Sequence, residues 1–138
     1  MRKELLDNIK LSEGWRPHVY KDTLGIDTIG FGFAIKDLIL DEDVGEIILK
    51  RKIVELIERI GKIFDWYAEM PHEIQDVVVE VCYQLGIGGF SKFSKTINFL
   101  KERAFASAGD EMLDSKWAKQ TPNRANRLAD VVRESEGK

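Results

Sequence analysis

Ser12-Glu13-Gly14-Trp15-Arg16-Pro17-His18-Val19-Tyr20-Lys21-Asp22-Thr23-Leu24-Gly25-Ile26-Asp27-Thr28-Ile29-Gly30-Phe31-Gly32 is the stretch on which the fold turns. Before it, residues 2 to 12 place Leu5, Leu6 and Ile9 on one face at helical spacing. Gly14 closes that helix, because glycine enters the left-handed conformation without steric cost. From Val19 to Ile35 apolar and polar residues alternate among glycines and threonines, which predicts a hairpin or small sheet with its turn near Leu24-Gly25. Gly30 and Gly32 leave no side chain over the strand; either a ligand approaches the backbone there or the glycines relieve a tight bend.

The same stretch carries two carboxyls in unlike settings. Glu13 ends a helix, where the dipole disfavours a second negative charge and so favours the protonated acid. Asp22, among Lys21, Thr23 and open backbone amides, is in a polar setting that keeps it ionised. One carboxyl held protonated and one held charged is what glycosidic bond cleavage needs. Read alone, both are equally ordinary surface acids in a chain with 24 of them.

Working outward, the rest of the chain reads as helices. Asp41 caps a long one from about Glu42 to Phe64, whose stripe of Leu49, Ile53, Leu56, Ile57, Ile60 and Phe64 is widened by Ile47, Ile48 and Val54. At 1.5 Å per residue it spans about 33 Å, enough to link two lobes. Pro71 starts the next, in which Ile74, Val77, Val78, Val81, Cys82 and Leu85 repeat at 3, 4 spacing, with Val79 adding a further apolar face; this is the expected buried centre of the larger lobe. A Gly-rich turn follows, Gly86-Ile87-Gly88-Gly89, without the strand or Lys-Ser/Thr of a phosphate loop. Three short helices come last, near Ser94 to Arg103, Ser107 to Leu113 and Pro122 to Glu134, the last with Thr121 as cap and Pro122 at its first position.

Composition narrows the function. The 138 residues, 43% hydrophobic, suit one folding unit with a real core. A net charge of −3 with pI near 5.5 argues against a general nucleic-acid binder. The charge is uneven: residues 1–87 carry a net −6 and residues 88–138 a net +3, an excess that either steers toward anionic polymer or is simply a solvated face. Cys82 is the only cysteine and sits among Val78, Val81 and Leu85, as a small core residue does. With only His18 and His72, and no Cys/His cluster, no metal site is expected. Charges interrupt every apolar run before about 18 residues, so no membrane insertion is expected, and Met1 to Asn8 lacks the apolar run of a signal peptide.

Ser12-Glu13-Gly14-Trp15-Arg16, Tyr20-Lys21-Asp22-Thr23 and Thr28-Ile29-Gly30-Phe31-Gly32 together resemble the active-site signature of the T-even bacteriophage lysozymes, glycoside hydrolase family 24. Trp117 followed by Gln120-Thr121-Pro122-Asn123-Arg124-Ala125 resembles the start of that family's late helix, and Tyr83-Gln84-Leu85-Gly86 with Gly89-Phe90 the end of its central helix. The resemblance implies a mostly helical α+β fold: one lysozyme domain over 1–138, with a β-hairpin lobe (13–64) whose long helix joins it to a helical lobe (1–12 plus 65–138), and a cleft between them. It implies Glu13 as general acid, Asp22 as second catalytic carboxylate and Thr28 as the residue placing the attacking water. For substrate it implies Gly32, Tyr83, Gln84 and Arg124, with Arg124 also paired to Glu13 across the cleft. It implies peptidoglycan glycan strands as partner and no cofactor. The setting it implies is a monomer in the cytoplasm of a bacterial host, released to the wall at lysis through a holin.

The chain departs from the family in four respects. Phe33 stands where the family often has His after the hairpin glycine, and the segment from Phe33 to Asp41 is short, so a small helix there is expected to be missing. The chain ends soon after Arg133, from which a trimmed last helical segment is expected, and its acidic balance contrasts with the many basic lysozymes. The rival readings are a catalytically silent lysozyme-fold module that binds wall or regulates, and a related hydrolase acting on chitin-like chains.

Overall fold

The computed structural model describes residues 1–136. The chain forms two compact units, Met1–Glu46 and Ile47–Lys138.

In the first unit, α1 (Lys3–Glu13) ends at Gly14, whose φ of +69° and N–H bond to the Lys10 carbonyl at 2.9 Å are the glycine stop expected from sequence. An antiparallel sheet follows in the order β1 (Arg16–Lys21), β2 (Asp27–Gly30), β3 (Phe33–Ala34). Tyr20 pairs with Thr28 and Arg16 with Gly30, and the register slips between them, so β1 is bulged. It starts at Arg16, before the alternation at Val19 signals a strand. Where a small helix was expected to be missing, one 3-10 turn remains, Ile35–Asp37. The α1 helix groups with this sheet in one compact unit. Beside the helix end the Trp15 ring lies 4.9 Å from that of Phe31, and Lys10 Nζ of α1 lies 5.5 Å from the same ring.

The second unit takes up α2 (Glu42–Ile63), which begins in the first. Only Leu56 and Ile60 of α2 are buried; Val54 is exposed, so the seam is narrower than its apolar positions suggest. The α3 helix (His72–Ser91) is the core, burying Ile74, Val77, Val78, Val79, Val81 and Cys82, as the 3, 4 spacing predicts. Burial pushes the Cys82 thiol up to about 12, which makes it an inert core group. The Gly-rich segment is not a turn but a kink: Gly86 takes φ +77°, and helix resumes through Gly88 and Gly89 to Ser91. Around α3 pack α4 (Ser94–Lys101), α5 (Phe105–Leu113), α6 (Lys116–Gln120) and α7 (Pro122–Glu134). The periodicity of the sequence shows no α6, because five residues are too few to repeat; Ser115 caps it by accepting the Ala118 N–H at 3.1 Å. Thr121 does not cap α7 with its side chain, since its hydroxyl donates instead to the Trp117 carbonyl at 3.0 Å. Among the described residues no helix is long and apolar enough to cross a membrane.

Candidate active site

Glu13 is set by two local facts: it is the last residue of α1, and its carboxyl lies against Gly32 in the bend between β2 and β3. Gly32 has φ +75°, and a Cβ built on it would overlap the Glu13 carboxyl. Gly32, which the resemblance implies as a substrate contact, is thus the seat of the Glu13 carboxyl. Its neighbour Gly30, φ +71°, plays the same part for an aromatic ring, since a Cβ there would meet Phe33 Cδ2 at 2.7 Å. Both glycines take a positive φ, and this chain's own side chains lie against them.

Asp22 is half-buried in the β1–β2 turn. Its Oδ1 accepts two backbone N–H groups, from Leu24 at 2.8 Å and Ile26 at 2.9 Å, which locks the carboxylate in one orientation. Oδ2 takes no hydrogen bond among the described residues. Thr28 is buried, and its hydroxyl donates to the Ile26 carbonyl at 2.8 Å, the same carbonyl that accepts the Asp22 N–H at 2.9 Å. The Ile26 peptide thus ties Asp22 and Thr28 into one construction. Having spent its proton, the Thr28 oxygen keeps only acceptor capacity. Nothing in the residue type of Ile26 signals this role, because it is played by the backbone.

The second unit joins the other expected residues. Gln84 Oε1 accepts the Trp117 indole N–H at 2.9 Å, and Tyr83 beside it is exposed. Arg124 is carboxylate-paired, but its partner is Glu80: Nε donates to Glu80 Oε2 at 2.8 Å, and Arg127 donates to the same oxygen at 2.8 Å. The packing of α7 on α3 makes Glu80 the carboxylate within reach of Arg124. Partial burial alone would raise the Glu80 pKa, yet the hydrogen bonds and charges of Arg127 and Arg124 outweigh it and hold the carboxyl below its ordinary value. Glu80 is the site residue that sequence reading misses, since 44 residues separate it from Arg124. His72 is exposed, and no group of three potential metal ligands exists among the described residues.

The first unit thus sets one carboxyl at a helix end and locks another beside a hydroxyl. A sequence model of the phage lysozyme family matches residues 10–136. Two proteins of Dictyostelium discoideum, probable T4-type lysozyme 2 and probable T4-type lysozyme 1, are 28% and 26% identical over 95% and 96% of this chain and 94% and 95% of their own. The pre-baseplate central spike protein Gp5 of Enterobacteria phage T4 is 25% identical over 93% of this chain, which spans 27% of that protein. The chain belongs to the phage lysozyme family, and the fold is that family's α+β plan. It is a glycoside hydrolase.

Proposed function

We propose that the enzyme is a muramidase, hydrolysing the β-1,4 bond between N-acetylmuramic acid and N-acetylglucosamine in peptidoglycan with inversion at the anomeric carbon. Glu13 gives its proton to the glycosidic oxygen. Asp22 takes a proton from water through Oδ2, and the Thr28 oxygen accepts the water's other hydrogen, leaving a lone pair for the sugar carbon. The observation that supports this reading is the backbone of Ile26, whose N–H and carbonyl hold the Asp22 carboxylate and the Thr28 hydroxyl in one construction. Tyr83, Gln84 and Arg124 bind the glycan. Proton transfer and charge stabilisation suffice, so no cofactor takes part.

The stereochemistry is the direct test. Soluble peptidoglycan fragments cleaved in heavy-oxygen water should yield α-anomeric muramic acid carrying the label; β product would make Asp22 a nucleophile and sink the water seat. The family resemblance also supports a lytic role: a monomer that waits in the host cytoplasm until a holin opens the membrane and gives it access to the wall. Expressed alone in a susceptible bacterium, the enzyme should leave turbidity constant until the membrane is permeabilised. Clearing without permeabilisation would overturn that placement.

A further inference from the structure

Glu80 lies three and four residues before Tyr83 and Gln84 on α3, so the three share a helix face. Arg124 reaches this face from α7 and is pinned to Glu80 twice, through Nε to the carboxylate at 2.8 Å and through Nη2 to the main-chain carbonyl at 3.4 Å. Both bonds use one edge of the guanidinium. Nη1 has no acceptor among the described residues, and its two N–H groups remain for a ligand oxygen. Arg127, more exposed, shares the carboxylate oxygen. Trp117 fixes Gln84 beside them.

We propose that Glu80 is a positioning residue for substrate: by gripping one edge of Arg124 it presents the other edge, next to Tyr83 and Gln84, to acceptor oxygens of the glycan. This rests on the muramidase reading given above. A free arginine side chain would have to be ordered by each substrate as it bound, and Glu80 pays that ordering cost during folding instead. The effect therefore falls on binding, common to ground state and transition state, and not on the chemical step.

The test is steady-state cleavage of purified soluble glycan fragments by wild type, Glu80→Gln, Arg124→Gln and the double variant, with thermal melts of each. Glu80→Gln should raise KM about 2- to 12-fold with kcat held within about twofold, the range expected for releasing one long side chain. In the Arg124→Gln background the same change should add nothing, because the residue through which Glu80 acts is gone. Arg127→Gln keeps the Glu80–Arg124 pair and should raise KM less than Glu80→Gln. If Glu80→Gln does not melt cooperatively, Glu80→Asp replaces it, with an intermediate KM and the same non-additivity expected. A merely structural Glu80 would give additive effects or a loss in kcat, and either result overturns the proposal. Wild-type KM in a folded Glu80→Gln protein overturns it too, while leaving the muramidase reading intact. A wild type that cleaves no fragment removes that reading and this inference with it.

Discussion

Glu13→Gln should lower the rate of wall clearing by about 10²- to 10⁴-fold, the span that positioned acid catalysis contributes, with the melting temperature held within a degree or two. Glutamine has the shape of the protonated acid, so it fits the same seat against Gly32. The helix end does not depend on the side chain, since the stop runs through the backbone bond from Gly14 to Lys10. What the amide cannot do is surrender a proton to a leaving alkoxide. The loss should therefore sit in kcat, with binding of uncleaved glycan preserved. Clearing assays on wall suspensions, run beside a melt and a glycan-binding measurement, separate the two. A glutamine variant clearing at the wild-type rate would take the role of acid away from Glu13.

What could be read in advance follows the range over which each interaction acts. Glu13-Gly14 as a helix end, the Asp22 turn and the stripe of α3 depend on neighbours within a few positions, so residue type and spacing reveal them. The seat that Gly32 makes for Glu13, the Glu80–Arg124 pair and the Trp15–Phe31 ring contact join residues separated by a turn or more of chain. Glycine composition shows that a backbone position needs room or a positive φ without showing whose side chain takes the room. The Gly86 to Gly89 run shows the converse: four residues that look like a turn hold one positive φ, and the capacity of the others for turning is unused because helix packing prevails. Apolar spacing in α2 likewise gives candidate faces, whereas burial selects only Leu56 and Ile60 from them.

Gly32→Ala should cost both stability and turnover, and the two losses have separable causes. At φ +75° an alanine pays about 1–2 kcal/mol for left-handed backbone. Gly86→Ala, at φ +77° with nothing within 4 Å of the added methyl, strains the backbone without a collision and supplies the control. Only at Gly32 does the methyl also collide with the Glu13 carboxyl. Glu13 is attached to a helix end, so the side chain yields before the helix does, and the carboxyl leaves the place that the proposed mechanism gives it. A displacement near 1 Å is enough to cost about 10²-fold in rate. Both variants should therefore melt below wild type, while kcat falls about a hundredfold in Gly32→Ala alone. Equal kcat in the two would mean that the seat does not position the acid, and Gly32 would then be needed for its backbone angle only.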